Sequence, residues 1–169
     1  VDIEMSFVEL DDIFEIAEGM MQTAFKAVGE EIKAPFIRLS YKEALLRFGS
    51  DKPDMRFDME ISDITEIFKA TAFKVFEGVI KDGGAIRALK ADLSADKLSR
   101  GVIDKLTELV KKNGGKGLVW LKFKDGEFEG PSAKFFKEDE LKALADHFKP
   151  EQGDTVFIGS DAKADTCAL

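Results

Sequence analysis

Residues 47–57 read Arg47-Phe48-Gly49-Ser50-Asp51-Lys52-Pro53-Asp54-Met55-Arg56-Phe57, and this stretch decides how the chain is organised. Pro53 has no backbone donor and biases Lys52 away from helical angles, so the stretch is predicted to be extended or turned. It is too rich in turn-forming and charged residues to belong to a core. We therefore expect a connector here, with a boundary between two parts of the protein near residues 57–62.

Short elements are predicted on both sides of this connector. Ser40 and Glu43 have the spacing of a capping box, which predicts a short helix that Gly49 ends. Beyond the connector, regular structure is predicted to restart at residues 62–63, with a brief helix over residues 63–70.

The segment before the connector is predicted to be a strand followed by a long helix. Residues 1–8 alternate apolar and polar side chains, the period-two pattern of a strand, which places Asp2 and Glu4 on one face. Apolar residues then recur at three- and four-residue steps, which predicts an amphipathic helix with Asp11 and Asp12 at its N-terminus. These apolar residues are Leu10, Ile13, Phe14, Ala17, Met20, Met21, Ala24, Phe25, Val28 and Ile32.

The remainder predicts a compact α+β unit. Strands are predicted at residues 73–80, 85–93, 117–123, 127–129 and 155–159, the first two joined by a hairpin turn at residues 81–84. Helices are predicted at residues 99–112 and 138–148. Both helices are expected on one face of an antiparallel sheet, which gives a two-layer architecture.

Composition limits the class of protein. The chain has 169 residues, 44% of them hydrophobic and 34% charged, as in a soluble globular protein. No apolar run approaches the length of a membrane span. Cys167 is the single cysteine, which is typical of a reducing cytoplasm. With one cysteine and one histidine, His147, neither a zinc site nor a nucleophile–histidine–carboxylate set is predicted.

Charge is unevenly distributed along the chain. Residues 1–60 hold 7 Lys+Arg and 14 Asp+Glu, a net charge of -7, whereas residues 61–169 hold 18 and 19, a net charge of -1. A total of -8 argues against a broad nucleic-acid surface, which would have to be basic. Seven lysines could still form one basic face, either simply solvated or in weak contact with a nucleic acid. They are Lys111, Lys112, Lys116, Lys122, Lys124, Lys134 and Lys137.

The connector resembles the one that joins the class II catalytic core of bacterial-type aspartyl-tRNA synthetases to an inserted GAD domain. Residues 1–8 resemble the strand that ends the second class II motif. Residues 116–120 and 132–136 resemble the interior of the insert. The resemblance extends along essentially the whole chain.

This resemblance implies that the chain is an internal piece of a longer enzyme. Residues 1–60 would be part of the catalytic core and the connector, residues 61–161 the GAD domain, and residues 162–169 a return segment to the core. The implied activity of the parent is aspartate–tRNA ligation, in which ATP, L-aspartate and tRNA give aspartyl-tRNA through aspartyl-adenylate. The parent is expected to use Mg²⁺ and to be a cytoplasmic homodimer. The piece alone is expected to bind no cofactor and to be inactive, so no catalytic or metal-binding residue is assigned.

The resemblance also implies site residues. Asp2 resembles the contact for the ammonium group of aspartate, and Glu4 would support it through hydrogen bonds; on the residues alone, both are ordinary exposed acids. Asp51, Lys52, Asp54 and Arg56 are predicted to form a salt-bridged hinge. The alternatives are contact with the acceptor end of tRNA and a solvated turn. For the seven lysines, the resemblance implies that the nucleic acid in weak contact would be the tRNA acceptor arm.

Two further functions fit parts of the sequence. The later half resembles a GAD module that could serve as a non-catalytic binding domain in a tRNA-dependent amidotransferase subunit. Residues 61–169 alone are also compatible with a structural spacer. The first alternative is expected to lack residues 1–57, and this difference discriminates it from the ligase.

Overall fold

The computed structural model describes residues 2–92 and 98–161. The chain divides into two compact units, Val1–Leu39 and Ser40–Leu169. The predicted boundary at residues 60/61 falls inside the second unit. The division into catalytic core, GAD domain and return segment concerns an intact parent and stays a prediction. The return segment 162–169, with Cys167, lies outside the described residues.

The first unit is built on a single helix, α1, at Leu10–Ala27, which confirms the predicted long helix. Its N-terminus is capped where the Glu9 amide donates to Asp12 Oδ2 at 2.8 Å. The apolar pattern predicts a helix as far as Ile32, but the helix ends at Ala27. Gly29 takes a left-handed φ of 84°, a conformation that glycine adopts readily and that ends the helix.

The chain after α1 folds back along the helix. The Phe36 amide donates to Glu18 Oε1 at 2.9 Å, and Arg38 pairs with Asp11 at 2.7 Å. The Arg38 guanidinium also lies 4.2 Å from the centre of the Phe14 ring. These contacts hold residues 36–38 against α1.

The strand predicted at residues 1–8 is wrong, because residues 2–8 have no regular structure. A strand needs a neighbour to pair its amides and carbonyls, and the described residues of this unit contain no other strand. The polar face predicted to carry Asp2 and Glu4 together is therefore not formed. Both residues are exposed.

The second unit opens with α2, Tyr41–Phe48, as the capping pattern predicts. Ser40 Oγ accepts from the Glu43 amide at 3.1 Å, and Gly49 ends the helix in the left-handed conformation at φ 68°. The connector then runs as bends into a 3-10 turn at Met55–Phe57, and a second 3-10 turn follows at Thr65–Phe68.

A five-stranded sheet forms the centre of this unit. Its strands are β1 Ser62–Asp63, β2 Ala85–Ala91, β3 Val119–Lys124, β4 Glu127–Glu129 and β5 Thr155–Asp161. The spatial order is β1-β2-β5-β3-β4, and every pair is antiparallel. Three helices accompany the sheet: α3 Lys74–Lys81, α4 Arg100–Lys112 and α5 Glu138–Phe148. The predicted α+β class and antiparallel sheet are confirmed.

The strand predicted at residues 73–80 is wrong, because this segment is the helix α3. Phe76 and Val79 are 1% and 4% exposed, a three-residue step that fits a helix, while Glu77 and Lys81 pair across one turn at 2.6 Å. The hairpin turn predicted at residues 81–84 is consequently wrong as well. Those residues connect α3 to β2.

The helices are divided between the two faces of the sheet, which corrects the predicted two-layer arrangement with helices on one face. On one face, Val156 and Ile158 of β5 pack with Phe76 of α3 and Leu144 of α5. On the other face, Phe157 packs with Ile103 of α4. The reason is that the central strand β5 is apolar on both faces, so both must be covered.

The helix predicted at residues 63–70 is shorter, a 3-10 turn at Thr65–Phe68. The helices α4 and α5 and the strands β2 to β5 are confirmed within one or two residues of their predicted ends. Ser99 precedes α4, residues 113–115 follow it, and α5 buries Leu144 completely. The turn between β3 and β4 has positive φ at Asp125 and Gly126, 52° and 88°, which closes a tight hairpin.

Candidate functional site

The ends of the connector are joined by Arg47, in the last turn of α2. Its Nε and Nη2 atoms donate to Oε2 and Oε1 of Glu60 at 2.8 and 2.6 Å, and its Nη1 donates to Glu43 Oε1 at 2.8 Å. The Arg47 carbonyl also accepts from the Ile61 amide at 2.7 Å. We call this set of contacts the Arg47–Glu60 clasp. It closes residues 48–59 into a loop between α2 and β1.

The clasp shifts the pKa values of Arg47 and Glu60. The hydrogen bonds from Arg47 lower the pKa of the Glu60 carboxyl below its usual value. The carboxylates of Glu60 and then Glu43 raise the pKa of the Arg47 guanidinium. Both shifts favour the charged forms, so the clasp persists as an ion pair across the neutral pH range.

A second ion pair lies inside the loop. Asp54 Oδ1 accepts from the Arg56 amide at 3.1 Å and from Arg56 Nε at 2.8 Å, and Asp54 Oδ2 accepts from Arg56 Nη2. These hydrogen bonds lower the pKa of Asp54 from 3.8 to about 2. The pair spans only two residues, so it fixes the local turn rather than joining the two ends of the connector.

The four predicted hinge residues therefore have different surroundings. Asp54 and Arg56 bind each other, while Asp51 and Lys52 are exposed in the bend that precedes them. Ser50 Oγ accepts from the Lys52 amide at 3.1 Å, which fixes the backbone of that bend. A hinge role for these four residues stays a prediction.

Sequence reasoning missed the role of Glu60. Arg47 stands at the start of the quoted stretch, but helical spacing connects it only with Glu43, four residues earlier. Glu60 lies thirteen residues further along, and no local rule pairs residues across a loop of that length. The only available signal was the return to regular structure just after Glu60, which brings the chain back beside α2.

Asp2 and Glu4 lie in the first unit with their side chains exposed, two residues apart in an irregular segment. Exposed carboxylates at this spacing are able to accept hydrogen bonds from an ammonium group. Their assignment to an aspartate site stays a prediction.

The lysines predicted to form a single basic face are divided between the two sides of the sheet. Lys122 lies on the α4 side of β3, since its neighbour Leu121 points into the core on the opposite side. Lys137 donates to the Ala70 carbonyl at 2.6 Å, and Ala70 follows the buried Phe68 of that opposite core. The single basic face is therefore not formed.

Within residues 2–92 and 98–161, no group of three or more His, Cys, Asp or Glu side chains is arranged to hold a metal ion. In the same part of the chain, none of the helices has the length and apolar character needed to cross a bilayer.

Several aspartate–tRNA ligases are similar to this chain. The aspartate–tRNA(Asp/Asn) ligase of Elusimicrobium minutum is 49% identical over 162 residues, which are 95% of this chain and 28% of the relative. The aspartate–tRNA ligases of Clostridium tetani and Clostridium acetobutylicum are 46% and 48% identical over 164 and 162 residues. These matches cover 96% and 95% of this chain, and 28% and 27% of the two relatives. The chain thus spans somewhat more than a quarter of the length of each.

The family model of the GAD domain matches residues 76–169, more than half of the chain. The match includes α4, α5 and four of the five strands. The chain belongs to the GAD domain family.

Proposed function

We propose that this chain is part of an aspartate–tRNA ligase, which uses ATP to activate L-aspartate as aspartyl-adenylate and transfers the aspartyl group to tRNA. The observation that carries the proposal is the extent of the similarity. Relatives with this activity match 95% of the chain at 45–49% identity, so the match cannot be confined to the GAD domain at residues 76–169. A GAD module of an amidotransferase subunit would share the later half only.

Asp2 has a specific role in this proposal. A site that selects aspartate must bind an ammonium group, and a carboxylate that accepts charge-assisted hydrogen bonds does so. Asp2 is exposed in this chain and therefore available to a ligand. Glu4, two residues on, would hold Asp2 in place through hydrogen bonds.

The connector has a positioning role. The Arg47–Glu60 clasp holds the two ends of residues 48–59 together, and the Asp54–Arg56 pair fixes the turn inside. In the parent enzyme, this closed loop would fix the direction in which the chain leaves the catalytic core and enters the GAD domain.

The remaining substrates are assigned to the whole ligase. ATP, Mg²⁺ and tRNA are requirements of the reaction, and we assign ATP and Mg²⁺ to parts of the parent beyond the residues described here. The parent is proposed to be a homodimer that acts in the cytoplasm.

A hybrid enzyme tests the role of Asp2. The chain replaces the matching segment of the Clostridium acetobutylicum ligase, which is 48% identical to it. Asp2→Ala should lower kcat/KM for aspartate roughly ten- to a hundredfold, because a hydrogen bond to a charged group contributes about 1.5–3 kcal/mol. The KM for ATP should change little. Glu15→Ala, which removes another exposed acid, is the matched control. Equal kinetics for aspartate in the Asp2→Ala and control enzymes would remove Asp2 from the site.

A further inference from the structure

A groove of about 390 Å³ lies between α4 and the face of the sheet that α4 covers. This volume is at the lower end of the range found for small-molecule sites, about 300–1,000 Å³, so one small ligand fits. Its floor contains Trp120 of β3 and Thr155 of β5, the latter only 1% exposed. Trp120 packs against the buried cluster that includes Ile103 and Phe157, so its ring is held in place from behind.

Charged groups of both signs surround this floor. Arg100 and Lys122 bring two cations to the groove, and Asp104 brings one carboxylate. Arg100 is the first residue of α4, a helix of 13 residues whose N-cap Ser99 makes no side-chain cap. The side chain of Ser99 therefore does not cap α4, and the N-terminus of the helix adds partial positive charge beside Arg100. A Cβ at Gly101 would meet nothing within 4 Å, so this end of the helix is open.

We infer that this groove binds one nucleotide. Its phosphate would lie at the N-terminus of α4 between Arg100 and Lys122, its base would stack on Trp120, and its ribose hydroxyls would donate to Asp104. A simple anion would use the two cations but would be repelled by Asp104. A nucleotide uses the cations, the carboxylate and the aromatic ring together, and this match in chemistry selects it over an acidic peptide.

One neighbouring charge opposes the phosphate. Glu129 of β4 is the register partner of Lys122 and lies on the same face of the sheet. A negative charge beside Lys122 disfavours a phosphate there, so removal of the Glu129 charge should strengthen phosphate binding. Glu129→Gln is therefore expected to gain affinity for the phosphate, whereas loss of either cation should lower it.

Trp120 is the only tryptophan of the chain, so its fluorescence reports on this groove directly. Adenosine monophosphate should quench the fluorescence of the full 169-residue chain in a saturable manner. Arg100→Gln and Lys122→Gln should each weaken that binding about tenfold or more, since each removes a charge-assisted hydrogen bond. Glu129→Gln should tighten it. Lys105→Gln, an exposed lysine of the same helix that does not line the groove, should leave it unchanged.

Three further probes separate the possible ligands. Asp104→Asn should weaken binding of adenosine monophosphate but strengthen binding of inorganic phosphate. Single-stranded oligoadenylate tells whether the nucleotide belongs to RNA. If it does, oligoadenylate should bind with higher affinity than adenosine monophosphate; if the ligand is a free nucleotide, it should not. The inference is overturned if neither adenosine monophosphate nor oligoadenylate quenches Trp120 saturably. It is equally overturned if the affinity is the same in Arg100→Gln, Lys122→Gln and Lys105→Gln chains whose circular dichroism shows native folding.

Discussion

Arg47 and Glu60 are thirteen residues apart in sequence and form a two-point ion pair, with Nε–Oε2 and Nη2–Oε1 distances of 2.8 and 2.6 Å. The backbone reinforces the pair, since the Ile61 amide donates to the Arg47 carbonyl at 2.7 Å. A flexible loop of this length would not keep its ends in register without such contacts. The pair therefore determines the path of residues 48–59.

Loss of the clasp should expose the loop to proteolysis. In Glu60→Gln, trypsin should cut after Arg56 about two- to fivefold faster, because an exposed ion pair contributes only modestly to closure. Pro53 protects the bond after Lys52, so the bond after Arg56 is the one that trypsin can cut within residues 48–59. Glu66→Gln, which breaks an exposed pair with Lys69 at 3.1 Å, is the control. The cleavage rates are measured by mass spectrometry. Equal rates in the two variants would show that the clasp does not close the loop.

The pair within the loop predicts an unusual titration. Arg56 lowers the pKa of Asp54 from 3.8 to about 2. Because the folded-state pKa is the lower one, the stabilisation is complete above about pH 4 and is lost as the pH falls through about 2. Carboxyl NMR should therefore give Asp54 a midpoint near 2, and Arg56→Gln should return it towards 3.8. The pKa of Glu77, which Lys81 lowers, should stay depressed in that variant. If the titration midpoint of Asp54 is the same with and without Arg56→Gln, the two side chains are not paired.

Substitution of two glycines by alanine should have opposite effects on the stability of the fold. A Cβ at Gly130 would lie 2.7 Å from the Trp120 carbonyl oxygen, and the φ of 157° disfavours a side chain, so Gly130→Ala should cost more than about 1 kcal/mol. At Gly78, inside α3, a Cβ meets nothing within 4 Å, so Gly78→Ala should stabilise the fold by about 0.5–1 kcal/mol. Urea unfolding of both variants checks the signs. A stabilising Gly130→Ala would show that the backbone there is not restrained.

The confirmed elements are those with long, regular patterns. Helices α1, α4 and α5 each repeat their apolar stripe over three turns or more, and the hairpin at Asp125 and Gly126 has the residues that a tight turn needs. The eight residues of α3 are too few to separate a helix from a strand by pattern alone. Its identity follows from packing, because Phe76 and Val79 must both face the core.

In the candidate site, too, local contacts are predictable from the sequence and contacts between distant residues are not. The Asp54–Arg56 pair is local and was within reach of sequence reasoning. The Arg47–Glu60 clasp and the groove beside Trp120 depend on residues far apart in sequence, which only the fold brings together. The arrangement of helices on both faces likewise follows from the central position of β5, a property of the whole sheet.

The exposed apolar side chains of α1 predict self-association of the isolated chain. No residue of α1 is buried, and Leu10, Ile16, Met20, Met21 and Phe25 are all exposed. A contiguous apolar stripe of this size favours contact with another molecule over contact with water. Sedimentation of the chain should show concentration-dependent association that Met21→Glu with Phe25→Glu reduces. Glu15→Gln, which changes an exposed acid of the same helix, offers a comparison. A monomer at all concentrations would contradict this expectation.

Aspartate-dependent ATP–pyrophosphate exchange shows whether this chain is part of an aspartate–tRNA ligase. It is measured on the hybrid in which this chain replaces the matching segment of the Clostridium acetobutylicum ligase. The hybrid should show exchange, followed by aspartyl-tRNA formation, because the chain would supply the same parts as the segment it replaces. The 169-residue chain alone should show none, because it spans only 27% of that relative. A folded hybrid that shows no exchange, or an isolated chain that does, would contradict the assignment of this chain to an aspartate–tRNA ligase.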